Sequence, residues 1–128
     1  MEPSPANLVT EAIIGGAIAV HRHLGPGLLE SAYEACLAWE LQQRGLVVAT
    51  QVPLPIVYGD VRLTLGYRLD LVVGDTVIVE IKAVDAIHPI HKAQLLSYLR
   101  LSGKRVGLLI NFNVTRLKDG LSRVVNDF

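Results

Sequence analysis

Cysteine occurs once in the 128 residues, as Cys36. A single thiol excludes an intramolecular disulfide and a cysteine-built zinc centre. Cys36 lies among apolar residues at helical spacing, so a buried, inert thiol is expected. Aromatic residues make up only 5%, with one tryptophan, Trp39, expected in the core or at an interface. Neither sign of charge is in excess, with 12 Lys+Arg against 12 Asp+Glu. That balance excludes a histone-like or arginine-rich nucleic-acid coat, whose binding rests on many phosphate neutralisations. It leaves room for an enzyme that touches nucleic acid over a few phosphates. No long hydrophobic run is present near the start: the apolar stretch Ala12–Val20 is nine residues with two glycines inside, too short to span a bilayer. Glu2 and Glu11, and no Lys or Arg, precede it, unlike the basic start of a signal peptide. A cytoplasmic protein with no membrane partner is expected.

What is present is a large apolar fraction, 51% hydrophobic against 19% charged, which excludes intrinsic disorder. A chain of this length buries roughly two-thirds of its unfolded surface, enough for one core. Residues 1–6 read as a loose terminus and 7–128 as a single domain. An apolar helix is expected from Asn7 to about Leu24, broken by Gly25-Pro26-Gly27, and a second from Leu28 to Arg44 with Gly45 as its stop. The period then changes. Leu46–Ala49, Gln51–Tyr58, Val61–Leu65, Tyr67–Val73 and Thr76–Lys82 are rich in Val, Ile and Leu and punctuated by Gly59-Asp60, Gly66 and Gly74-Asp75, the pattern of an antiparallel meander. Pro53 and Pro55 put their segment at an edge or bulge. A helix over Pro89–Ser102, a strand over Arg105–Phe112 and a short last helix over Leu117–Val125 complete a single α/β (α+β) domain.

The zero net charge is an average over an uneven chain. Residues 1–60 hold six acids against Arg22 and Arg44, whereas residues 92–128 hold seven bases against Asp119 and Asp127. One side of the molecule can therefore still be basic.

Asp70 stands out because Asp is depleted in strands. In the next segment Glu80 and Lys82 are two apart and so share a face. A two-residue turn at Gly74-Asp75 pairs Asp70 with Val79, while a three-residue turn ending at Thr76 pairs Asp70 with Glu80. Only the second leaves Leu69, Leu71, Val73, Val77, Val79 and Ile81 as an unbroken apolar face, so burial favours it. Turn chemistry points the other way, since the third loop position prefers Gly and holds Thr76. Opposed carboxylates repel unless a cation lies between them. Their hard oxygens suit Mg2+ or Mn2+, with Lys82 beside them to orient or help deprotonate a water, or to offset charge on a phosphate. The competing reading is a structural ion-pair cluster in which Lys82 neutralises both acids.

Asp70 followed by Glu80-Ile81-Lys82 resembles the signature of the PD-(D/E)XK nuclease superfamily, with Leu69 where the superfamily's name has Pro. Gln94-Leu95-Leu96-Ser97-Tyr98 resembles the Q-x-x-x-Y motif of its exonuclease-like branch. Gly27-Leu28-Leu29-Glu30-Ser31-Ala32-Tyr33 matches the motif of the bacterial GxxExxY family, and Val20-His21, Leu24-Gly25 and Leu109-Ile110-Asn111-Phe112 are similar to it too. The resemblance covers roughly residues 8–125 in the right order. It implies a PD-(D/E)XK nuclease-like core, a central mixed β-sheet flanked by α-helices. It implies a metal held by Asp70, Glu80 and the carbonyl of Ile81, with Glu30 close by, Lys82 assisting catalysis and Gln94 and Tyr98 positioning substrate.

The remaining residues have ordinary readings beside these. Glu30 suits a helix's first turn for its dipole alone, and Tyr33 lies on the apolar stripe as a core residue. His21 reads as a hydrogen-bonded structural residue and His88 as a loop residue, while His91 shares a face with Gln94 and could contact a phosphate. The leading expectation is an Mg2+- or Mn2+-dependent nuclease acting on DNA. The alternative is a catalytically silent binding or assembly module, acting as a homodimer or with a partner protein. An RNA-directed nuclease is chemically allowed.

Overall fold

The apolar stripes of the first two helices face one another and the sheet. In the computed structural model, in which residues 5–127 are described, α1 spans Pro5–Leu24 and α2 spans Glu30–Gln43. Ile13, Ala17 and Val20 of α1 and Tyr33, Leu37 and Leu41 of α2 are buried at spacings of three and four, as an amphipathic helix requires. The two helices approach closely at Gly16, where a Cβ would lie 2.7 Å from a Leu41 methyl. The intervening turn is pinned by Tyr33, whose hydroxyl donates to the Gly25 carbonyl at 2.6 Å and accepts from the Leu28 N–H at 3.1 Å. The Tyr33 ring stacks on Phe112 with centroids 4.5 Å apart.

The strands are β1 (Val48–Pro53), β2 (Ile56–Tyr58), β3 (Val61–Leu63), β4 (Arg68–Val73), β5 (Val77–Lys82), β6 (Val106–Asn111) and β7 (Leu121–Val125), with α3 (Pro89–Ser102) between β5 and β6. Five of them form one sheet in the order β1-β4-β5-β6-β7. Only β5 and β6 are parallel, which α3 makes possible as the crossover between them. Helices α1 and α2 cover one face, closing over Leu71, Val73, Val77, Val79, Leu108 and Ile110. Helix α3 covers the other, with Leu95, Tyr98 and Leu99 against Val72, Ile78 and Leu109. The fold is therefore α/β, a central mixed sheet flanked by helices, as the resemblance implies.

Several elements differ from expectation. Helix α1 starts at Pro5, earlier than the apolar pattern suggested, and residues 1–4 lie outside the described residues. The meander is interrupted: β2 and β3 form their own two-stranded sheet, inserted between β1 and β4. The break falls at Leu54-Pro55, where a proline cannot donate to a ladder. Residues 117–125 are not a helix but a 3-10 turn over Leu117–Gly120 followed by β7. Gly120 ends the turn, and the β-branched Val124 and Val125 pair with Gly107 and Val106 at the otherwise open edge of β6.

Side-chain burial also corrects the sequence reading in places. Cys36 is exposed rather than buried, because α2 turns Tyr33, Leu37, Ala38 and Leu41 inward and leaves Cys36 on its flank. Of the two places expected for Trp39, the core is excluded by its 60% exposure and an interface is not. Leu69 is buried, but in the cluster under α3 instead of with Leu71. His21 is buried and hydrogen-bonded through Nε2 to the Val114 carbonyl at 2.8 Å, a structural role as expected. His88 and His91 are explained by local geometry: His88 N-caps α3, and its backbone N–H donates to His91 Nδ1 at 3.1 Å in a capping box.

Candidate active site

The hairpin between β4 and β5 sets the site's register. Its pairs are Leu71↔Val79, Val72↔Ile78 and Val73↔Val77, so one further step places Asp70 opposite Glu80. The three-residue turn works without glycine at Thr76 because the left-handed positions are Gly74 and Asp75, at φ of 59° and 55°. Asp tolerates that region better than most residues, since its short side chain can bond locally. Backbone pairing stops at Leu71↔Val79, and beyond it the carboxylates take over. The Asp70 N–H donates to Glu80 Oε2 at 2.8 Å, and the Ile81 N–H donates to Asp70 Oδ2 at 2.9 Å. Each acid thus holds the other strand's backbone, and the pair is fixed side by side where the strands fork.

Other elements converge on this fork. Glu30, the first residue of α2, accepts the Ala83 N–H through Oε2 at 3.2 Å, just beyond Lys82. Glu34, one helical turn further, receives a hydrogen bond from the Gln51 amide at 2.8 Å, and the same amide nitrogen reaches Asp70 Oδ1 at 3.5 Å. Gln51 sits opposite Asp70 on β1, between the pairs Thr50↔Leu71 and Val52↔Leu69. Its φ of 49° is uncommon for a residue with a Cβ, a local strain of the kind found at functional sites. Sequence reasoning missed both residues. Glu34 had a usable signal, since it lies four after Glu30 and therefore on the same helical face. Gln51 had none, because nothing in a glutamine announces a left-handed backbone.

Charge is crowded at this point. Glu80, only 7% exposed, is pushed up to about 8, first by burial and then by the negative charge of Asp70; the Asp70 N–H and Lys82 pull the other way. Asp70 is also raised, chiefly by burial and further by Glu30, against the Ile81 N–H, Lys82 and Gln51. Glu34 is raised by burial and by Asp70. The Tyr98 hydroxyl is raised by burial, then by Glu80, Tyr67 and Asp70, which places it beside the acids. Tyr67, another residue the sequence reading passed over, meets the Tyr98 ring edge-on at 6.4 Å.

The structure thus brings Glu30, Asp70, Glu80, Lys82 and Tyr98 to one neighbourhood. Ile81 points its side chain into the core while its backbone N–H serves Asp70. Gln94 is exposed, one turn before Tyr98 on α3. Lys82 lowers both carboxylates electrostatically, yet its ammonium makes no ion pair with either among the described residues.

No three Asp, Glu, His or Cys side chains among the described residues converge closely enough to form a ligand cage by themselves. Mg2+ does not need one, since it is held by one or two carboxylates together with waters and substrate oxygens. The donor set at the fork fits that pattern: two hard-oxygen side chains, each with one oxygen committed to a backbone N–H and both disfavoured as anions chiefly by burial.

A family model described as the PD-(D/E)XK nuclease superfamily matches residues 7–124. No curated protein and no solved structure matches the chain.

Proposed function

The chain belongs to the PD-(D/E)XK nuclease superfamily, and from that premise we propose that it is a divalent-metal-dependent nuclease that hydrolyses phosphodiester bonds in DNA. Within the superfamily we place it in the bacterial GxxExxY family, on the motif Gly27-Leu28-Leu29-Glu30-Ser31-Ala32-Tyr33, and in the cytoplasm. The observation that carries the reading is the reciprocal clamp of Asp70 and Glu80, with Lys82 nearby and without an ion-pair partner among the described residues.

In the mechanism Asp70 and Glu80 would hold Mg2+ or Mn2+, the Ile81 carbonyl would be a further ligand, and Glu30 would stand alongside. The cation when bound polarises a phosphoryl oxygen and lowers the pKa of a water. Lys82 Nζ orients the attacking water and offsets the charge that grows on the phosphate. Water's oxygen forms the new bond to phosphorus as its proton passes to bulk solvent, the bond to the departing sugar oxygen breaks, and that oxygen takes up a proton from solvent. Tyr98 and Gln94, one turn apart on α3, position the substrate.

The alternative, a catalytically silent module that assembles as a homodimer or with a protein partner, is favoured by one observation. Trp39 stands 60% exposed beside Cys36, in an apolar recess between α1 and α2. Incubation of the protein with Mg2+ or Mn2+ and labelled single-stranded DNA, duplex DNA and RNA separates the readings. The nuclease reading expects metal-dependent cleavage of DNA that is lost in Asp70→Ala and in Lys82→Ala. Cleavage unchanged in both variants would sink the site assignment, and no cleavage of any substrate would favour the module.

A further inference from the structure

A second charged feature lies at the end of the sheet where β5 and β6 finish. The last turn of α1 and the segment after β6 enclose a recess of about 300 Å³ lined by Ile18, His21, Arg22, Thr115, Arg116 and Lys118. Three of these are cations, exposed, and none has an ion-pair or hydrogen-bond partner for its side chain among the described residues. Asp119 belongs to the same 3-10 turn but does not line the recess. Like charges gathered without counter-charge repel one another, and an anion laid across them relieves that repulsion.

The frame beneath the cations is rigid. The bond from His21 Nε2 to the Val114 carbonyl ties the segment to α1, and Leu117 is buried in the core. Gly120 passes so close to the Asn111 carbonyl that any Cβ there would collide with it. The same segment is fastened to the candidate active site. The Phe112 N–H donates to the Lys82 carbonyl at 2.9 Å, and the Asn111 side chain accepts the Val84 N–H at 3.1 Å and donates to the Val84 carbonyl at 2.9 Å. Arg116 follows Phe112 by four residues.

We propose that this recess is a docking site for nucleic-acid backbone phosphates that flank the bond at Asp70 and Glu80, held by Arg22, Arg116 and Lys118. The inference rests on the nuclease reading and adds to it the surface that grips the substrate. Contacts of this kind read phosphate rather than bases, so the grip is independent of sequence. It also gives a chain of zero net charge a local cluster of three cations on which a polyanion can rest.

The test is fluorescence anisotropy of labelled single-stranded and duplex oligonucleotides with the full chain in EDTA, where no cleavage intervenes. It compares the wild type with the triple variant Arg22→Gln, Arg116→Gln, Lys118→Gln, whose fold is checked by its melting temperature. Neutralising three phosphate contacts makes the dependence of log K on log salt shallower by about 2 to 3. That is a roughly 15- to 60-fold smaller loss of affinity between about 50 and 200 mM salt. A triple variant with the wild-type slope overturns the inference and leaves the nuclease reading standing, because cleavage and its loss in Asp70→Ala are measured separately. Binding to vesicles with about 30% phosphatidylserine, without binding to oligonucleotides, also overturns it and assigns the recess to an anionic membrane surface.

Discussion

Replacing Glu80 by Gln isolates the electrostatic tension at the fork. Gln retains a carbonyl oxygen to accept the Asp70 N–H and removes the buried charge. In the metal-free wild type the folded chain binds the Glu80 proton more tightly than the unfolded chain, with a pKa of about 8 against 4.5. A raised folded-state pKa makes a contribution that is complete below about 4.5 and is lost as pH rises through about 8. At about 1.4 kcal/mol per pH unit the full window is worth on the order of 5 kcal/mol, and on the order of 3 kcal/mol is already lost by pH 7. Asp70, also raised, acts in the same direction. For a domain of this size the loss lowers Tm by roughly 10 °C. Thermal melts in EDTA across this pH range therefore show the wild type losing stability as pH rises, and Glu80→Gln losing much less. Excess Mg2+ flattens the wild-type curve, because a cation bound only by the folded state stabilises it by mass action. A metal-free wild type whose Tm is constant over the window refutes the reasoning, as does a Gln variant that falls just as steeply.

Lys82→Ala should lower cleavage by about 100-fold or more while moving stability by no more than about 0.5 kcal/mol, measured by single-turnover kinetics and urea melts. Tyr33→Phe deletes the hydroxyl that bonds Gly25 and Leu28 and should cost about 1 to 2 kcal/mol in urea unfolding; an unchanged midpoint contradicts the pinning role of Tyr33. Asn111→Ala leaves the half-buried Val84 backbone groups without their side-chain partner and should cost about 1 to 3 kcal/mol, with faster amide exchange at Val84 as the local readout.

The hairpin that carries Asp70 and Glu80 was legible because burial overrules turn chemistry. The apolar set Leu71, Val73, Val77 and Val79 favours the observed register even though Val72 and Ile78 are buried on the other face, and Thr76 is accommodated by moving the left-handed geometry to Gly74 and Asp75. Helix α3 was legible from Pro89 and Gly103, which bound it in sequence as in space. The last strand was not. Leu117–Val125 has a helix-compatible apolar content, and only the open edge of β6, a tertiary fact, draws Leu121–Val125 into the sheet. Leu69 joins the cluster under α3 although it shares a strand parity with Leu71, and the left-handed Gln51 interrupts the ladder between them. The candidate site was legible in its strand residues and incomplete in its neighbours. Glu34 and Gln51 reach Asp70 from α2 and β1, a convergence that chain spacing does not encode.

Whether Asp70 and Glu80 hold a divalent cation is decided by diffraction from crystals soaked in Mn2+. An anomalous peak is expected at about 2.0 to 2.2 Å from a carboxylate oxygen of each residue. No peak between them at saturating Mn2+, in crystals whose Asp70 and Glu80 side chains are ordered, would contradict that assignment.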